Sequence, residues 1–569
     1  MIFGRGSRKK VVLESRAIVP SSTEADDQVI GLIDEHGTQE GEREAAYSEE
    51  RRRRLRRSRN PRTPQAPREP RPPLWWRPIA VIAASVIVIS ILGTFVRADD
   101  STETAAAVTL EPIQSSVLIC PEPGSGGDLG VRVTAAVIPG QPGQAVGPGR
   151  AGLETLLGKE SARANLREPG SQAQIEAFGA RLPAIRAFGE GSLAPGLVAD
   201  QWGRDPSGQG RGLASTACGP AASEFWFVGG GAVAGRQTKV VLVNPDDTAA
   251  VVDVIIHGPE GIVDAPASRG LVIPAQDRSV IRLDVLAPGI TATAFHVIAR
   301  TGRIGASVDD EQRSGLQSVG VDWIPQSAPP ATKVYVPGVL PGDKARVLSV
   351  VSTSDNDAIV SIRLFSAEGA YEPFERNQLI VPAGAVATMD MSSVMPPNPD
   401  GFSGATLELI SDQPIVAGMR QFFGGTRVQD ETSFSAGAQP FTATSAVSGF
   451  PVRDATDVRL YVTAPESDAS VDVVLLPFRG ARQVAEPTAP RRVVIKAGEM
   501  KNFALNAPAG IEWFTAVVTP VAGSGPVLVA HRIREKSRFG DLVTGYPWTP
   551  LRTQVSVPVA QYEQSVSLR

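Results

Sequence analysis

Cysteine is nearly missing from this chain, two residues in 569, and histidine is scarce at four. The shortage excludes a cysteine-framed zinc site and a small disulfide-dense scaffold, because structural zinc needs about four N or S ligands at short spacings. No His-Glu-x-x-His pair occurs, so zinc hydrolysis has no ligand set, and His36, His257, His296 and His531 read as single residues, the last three inside strand patterns. Nucleophile motifs are missing too. Gly401-Phe402-Ser403-Gly404 has neither the spacing nor the strand–turn–helix setting of a nucleophile elbow, and Ser7-Arg8-Lys9-Lys10 lies in an unstructured terminus. Gly229-Gly230-Gly231 has no Lys-Ser/Thr continuation to cradle phosphate and reads as close backbone approach at a domain boundary. These absences favour a chain without an enzyme's machinery, cofactor or metal.

Long apolar runs are equally few. One stands out, Ile79–Val96, eighteen residues without a charge. At about 1.5 Å per residue it nearly matches a hydrocarbon core of about 30 Å, and Trp75 and Trp76 sit where indole rings prefer the headgroup layer. Eleven arginines and one acid, Glu69, lie between Arg51 and Arg77, whereas Arg97-Ala98-Asp99-Asp100 follows the run. The asymmetry predicts a single-pass plasma-membrane protein with residues 1–73 a disordered cytoplasmic tail, 74–97 the transmembrane helix and the bulk extracytoplasmic. Cleavage after Val96-Arg97-Ala98 is the alternative, although over seventy residues is long for a signal n-region. The arginines are expected to lie on anionic lipid; no nucleic-acid recognition fold accompanies them.

The exported part is dense in Val, Ile and Thr, and the chain holds 56 Gly and 47 Pro, which favours short strands and tight turns. Cys120 and Cys218, an even pair in an oxidising compartment, predict a disulfide. Three stretches share one pattern: TKVVLVNPDDTAAVVDVIIHGPEG ending at Gly261, ARVLSVVSTSDNDAIVSIRLFSAEG ending at Gly369, and TDVRLYVTAPESDASVDVVLLPFRG ending at Gly480. Each reads as a hairpin or two neighbouring strands, and further strand pairs at 295–307, 407–419 and 516–531 read as hairpins. The spacing is about 110 residues, one small sandwich. The predicted fold is all-β, tandem immunoglobulin-like or fibronectin-like sandwiches. The domains are a membrane-proximal β-rich one (107–235) and three repeats (236–330, 331–445, 446–569). The first lacks sustained periodicity over 141–215, and a helical insertion around Gly152–Phe188 stays open as an alternative.

Candidate contacts are then few. Asp246-Asp247, Asp309-Asp310-Glu311 and Asp355-Asn356-Asp357 read as turn residues, with calcium or paired-carboxylate chemistry as the sharper alternatives. Trp202, Trp226, Trp323, Trp513 and Trp548 are candidates for glycan stacking. Trp323 and Trp548 recur with a proline two residues on, which fits interdomain packing better.

SLAPGLVADQW (192–202), GLASTACGPAASEFWFVGG (212–230), VLVNPDDTAAVVDV (241–254) and GVDWIPQSAPPATKVYVPG (320–338) resemble the actinobacterial envelope proteins grouped as domain-of-unknown-function family 5719. The resemblance covers about 107–560. It implies a single-anchor protein with extracytoplasmic β-domains, encoded near a large membrane glycosyltransferase, and supplies no catalytic residues. The expectation is a non-catalytic, membrane-anchored scaffold or accessory subunit of that glycosyltransferase in cell-envelope glycan biosynthesis. The alternatives are a cell-wall polysaccharide-binding module and, behind it, a divergent glycan-active enzyme.

Overall fold

A computed structural model describes residues 108–558, apart from short internal segments at 124–127, 145–146, 157–161, 180–181, 342–343, 396–402, 426–427, 481 and 484–485. The tail at 1–73 and the anchor at 74–97, with Trp75, Trp76, Ile79 and Val96, lie outside the described residues. Among the described residues no helix is long and apolar enough to cross a membrane.

Alternation of Val, Ile and Leu with small or polar residues gives strands that bury one face, and two such sheets close over each core. Four sandwiches result. In the first, Ser115–Cys120, Ile185–Gly191 and Gly149–Thr155 form one sheet, extended by Arg163–Leu166; Gln172–Phe178, Gly130–Val137, Leu197–Asp205 and Gly212–Ala217 form the other. Counted along the chain, the order is first-fifth-third against fourth-second-sixth-seventh. The other three repeat it, from Glu224–Val228 to Gln317–Ile324, from Ala331–Val339 to Val428–Ala436, and from Ser445–Pro451 to Leu542–Thr544. In the third, one 21-residue strand, Ala405–Gly425, serves as both fifth and sixth by passing from one sheet to the other.

Several expectations are corrected here. Of the two readings of the first stretch, the hairpin is corrected: Arg236–Val243 and Ala250–Gly258 are successive strands of a sandwich in opposite sheets, and the pair read as a hairpin at 295–307 likewise crosses between sheets, from Ala294–Thr301 to Gly305–Ser314. The six-residue polar turn of the first stretch, 244–249, is longer than the two-residue connection that pairs neighbouring strands tightly. Glu224–Val228 pairs with Ala294–Thr301 and belongs to the second sandwich, so the boundary expected at 235/236 falls instead between Pro220 and Glu224. The described residues around 152–188 form strands, Gly149–Thr155, Arg163–Leu166, Gln172–Phe178 and Ile185–Gly191, rather than a helical insertion. Cys120 and Cys218 are bonded, joining the first strand to the segment after the seventh.

The sandwiches close into a ring. Each four-stranded sheet turns its outward face to the preceding sandwich, with an apolar cluster at each seam. Trp323, Val241 and Val243 of the second meet Ile119 and Ala184 of the first; Val351 and Val416 of the third meet Trp226 and Val228; Tyr461 and Val543 of the fourth meet Leu340. The first closes on the fourth, Ala136 and Val198 packing with Ala446, Phe478 and Trp513. The four seventh strands consequently lie together at the centre, each packed on the next. Gly320, at φ +135°, marks how closely they approach, since a Cβ there would stand 2.3 Å from the Thr432 nitrogen. Val108–Pro112 and Gln554–Pro558, the first and last described strands, pair antiparallel.

Candidate functional site

The centre of the ring is polar and sealed. Arg211, fully buried, donates to the carbonyls of Gly540 (2.8 Å), Asp541 (3.1 Å) and Asp430 (3.2 Å) and stands 3.7 Å from Glu431. Asp322 accepts from the Ser215 nitrogen at 3.2 Å and from the Thr544 hydroxyl at 3.0 Å, and the Ser215 and Thr544 hydroxyls share a bond of 2.8 Å. All four sandwiches therefore contribute. Burial pushes both carboxyls well up from their ordinary range, against the bonds to Asp322 and the Arg211 charge beside Glu431. Arg211 ties the first sandwich to the third and fourth through the carbonyls of Asp430, Gly540 and Asp541, and hydrogen bonds from a charged donor are stronger than neutral ones.

One strand of the first sandwich, Leu197–Asp205, then has two different faces. Asp200, Trp202 and Arg204 point to the fourth sandwich. Asp200 accepts from the Tyr546 hydroxyl (2.6 Å), the Ser448 nitrogen (2.6 Å) and the Ser448 hydroxyl (2.8 Å), and burial raises its carboxyl to about 6. Trp202 meets Phe450 edge-on at 6.1 Å, and Arg204 pairs with Glu535 at 2.8 Å. Gly449, at φ +79°, lets the chain close on Thr134.

The opposite face, Gln201, Gly203 and Asp205, borders a cleft of about 540 Å³ between the first and second sandwiches. Facing it, Lys239, Asp309, Glu311, Arg313 and Trp323 project from three adjacent strands of the second. Lys239 reaches Asp309 at 3.3 Å, Glu311 pairs with Arg313, and Arg313 donates to Gln209 at 3.0 Å. Burial raises the Asp309 carboxyl although Lys239 opposes it, and burial likewise raises Asp205. Gln201 is 1 % exposed, and neither atom of its amide has a partner.

The sequence candidates distribute as follows. Trp202, Trp226, Trp323, Trp513 and Trp548 are all buried, none offering an open ring face for stacking. Trp226 stacks on His296 at 3.9 Å in the seam between the second and third sandwiches, and Trp548 donates its indole N–H to His531 at 2.9 Å inside the fourth. His531 is thereby held as a neutral acceptor, its pKa lowered to about 3 by burial. His257 bonds the Gly384 carbonyl at 2.8 Å across a seam. Asp309-Asp310-Glu311, expected in a turn, lies within the strand Gly305–Ser314, so Asp310 turns away from its neighbours towards Arg236 (3.0 Å) and Arg420 (3.6 Å). Asp246 pairs with Arg303 at 2.9 Å, and Asp357 accepts from the Ala383 nitrogen. Among the described residues no three His, Cys, Asp or Glu side chains gather as a metal site.

Asn244, of the Asn-Pro turn, is an internal staple: it is 1 % exposed and donates to the carbonyls of Thr248, Ile273 and Pro274. A family model described as "Family of unknown function (DUF5719)" matches residues 173–474. The chain belongs to this family. The match runs from the fourth strand of the first sandwich into the third strand of the fourth, a shorter span than the 107–560 of the sequence resemblance. Within it fall Arg211, Asp322, Glu431 and the whole cleft except its rim at Pro123, Asp128 and Leu129. No curated protein and no solved structure matches the chain.

Arg211, Glu431, Asp200 and Gln201 were not singled out by motif, spacing or repeat. The signal for Asp200 and Gln201 lay in LVADQWGRD, where adjacent polar residues interrupt a largely buried strand. Successive side chains of a strand point to opposite faces, so Asp200 and Gln201 must each find a separate polar environment.

Proposed function

We propose that this protein is a non-catalytic scaffold, tethered to the plasma membrane by residues 79–96 and holding its ring outside the cell. It would serve as an accessory subunit of an integral membrane glycosyltransferase in envelope glycan assembly. The carrying observation is closure: four sandwiches share one buried polar centre and are sealed first to last, so the ring presents its outer faces in fixed relative positions. A rigid array lowers the ordering cost of docking a large partner. The arginine-rich flank and the oxidised Cys120–Cys218 pair support the orientation. The test is solubilisation of membranes in mild detergent, capture of the full chain and identification of what accompanies it. A multi-span glycosyltransferase in stoichiometric amount supports the proposal; a chain recovered alone, or shielded from protease on intact spheroplasts, sinks it.

A second reading, direct contact with cell-wall polysaccharide, draws support from the open cleft beside Gln201 and not from the tryptophans. We also read the units as immunoglobulin-like. Their first, fifth and third strands correspond to B, E and D, and their second, sixth and seventh to C, F and G. The place of strand A is taken by the segment leaving each sandwich, which pairs with that sandwich's first strand.

A further inference from the structure

We infer that the cleft between the first and second sandwiches binds a neutral, hydroxyl-rich saccharide, with the Gln201 amide as its deepest contact. The inference gives the polysaccharide reading a site, and it stands apart from the scaffold reading because no membrane partner is involved.

Buried side-chain amides are nearly always bonded, and one left unbonded destabilises the fold. Gln201 lies at 1 % exposure against the cleft with both its oxygen and its nitrogen unpartnered. An amide offers a donor and an acceptor side by side, and so does a hydroxyl. A ligand bearing adjacent hydroxyls can satisfy both atoms at once.

Charge narrows the class. Lys239 is paired with Asp309 at 3.3 Å and Arg313 with Glu311, so the cations of this wall are already neutralised. Asp205 and Asp128 add carboxyls with no further lysine or arginine bordering the cleft, which disfavours an anionic ligand. The same groups keep lone pairs and N–H bonds for a ligand that carries no charge. Eleven of the eighteen bordering residues have hydrogen-bonding side chains, too polar a lining for the apolar sockets that anchor peptides. The volume, about 540 Å³, lies within the range of small-ligand sites.

The open space is not required by packing. A Cβ placed on Gly203 would meet nothing nearer than Leu129 Cδ1 at 3.7 Å, an ordinary contact, and no left-handed φ forbids a side chain there. Gly203→Val should therefore fill part of the cleft and leave the fold intact.

The experiment uses the full chain in a non-glycosidic detergent, with a panel of short, neutral gluco-, galacto-, manno- and arabino-oligosaccharides as probes. Saturation-transfer NMR detects binding and calorimetry measures it. The expected result is binding of at least one probe, weakened about tenfold by Gln201→Leu, as loss of a bonded amide implies. Gly203→Val should abolish it at an unchanged unfolding temperature, and if Gln201→Leu does not fold, Gly203→Val alone decides. Binding to none of the probes, or binding that neither variant alters, overturns the inference, as does binding only of an anionic glycan or a peptide. Glycosyltransferase co-purification with Gly203→Val unchanged, but without saccharide binding in the parent chain, would sink this inference while leaving the scaffold proposal standing.

Discussion

Asp200 and Gln201 are neighbours on one strand, both about 1 % exposed, and differ in everything else. Asp200 turns to the fourth sandwich and collects three hydrogen bonds; Gln201 turns to the cleft and collects none. The chain thus spends one face of a strand on closing the ring and leaves the other facing open space. A satisfied polar seam locks two domains together, whereas an unsatisfied one is costly until something occupies it.

The comparison can be broken from the closed side first. Arg211→Met should be the most damaging change, costing about 4 kcal/mol in denaturant unfolding, because the buried carbonyls of Asp430, Gly540 and Asp541 would lose their charged donor. Asp200→Ala follows at about 3 kcal/mol, since the Tyr546 hydroxyl and the Ser448 groups lose their acceptor; amide exchange should rise at the seam of the first and fourth sandwiches. Asp200→Asn sharpens the point through pH. The carboxyl's folded pKa of about 6 lies above its ordinary 3.8, so its proton-linked stability is fully present below about 3.8 and is lost as pH rises through about 6. The stability difference between the two proteins should shift towards the Asn variant by about 2 kcal/mol between pH 4 and 7. Taking the difference cancels His531, whose lowered pKa destabilises both proteins increasingly as pH falls below about 6.5. The smallest effect belongs to the open side: Gln201→Leu should leave stability unchanged or raise it by about 1 kcal/mol, since it removes two unpaired polar atoms. A loss of several kcal/mol there would mean that Gln201 is held by the fold after all.

Strands, the repeat and the disulfide were legible because alternation of Val and Ile, a spacing of about 110 residues and a pair of cysteines are local or countable signals. Which sheet a strand joins is not local. Arg236–Val243 and Ala250–Gly258 alternate in the same way whether they pair or lie across a core, so crossings looked like hairpins. The first sandwich kept the shared strand order with little of the shared pattern: glycine and proline fill its connections, and its equivalence to the others appears only in the pairing. The cleft was less legible still. Asp309 and Glu311 reach it only because 309–311 is a strand; read as a turn, the triplet pointed nowhere in particular.

Pairing of Val108–Pro112 with Gln554–Pro558 brings the two ends of the described residues side by side. Bridging them with a short peptide and cutting the backbone in the turn between Val243 and Ala250 would give a permuted molecule of unchanged architecture. In that arrangement a fusion partner grafted at the new start would leave the ring from its second sandwich, so under the scaffold proposal partner capture by each version would report which side of the ring the partner needs.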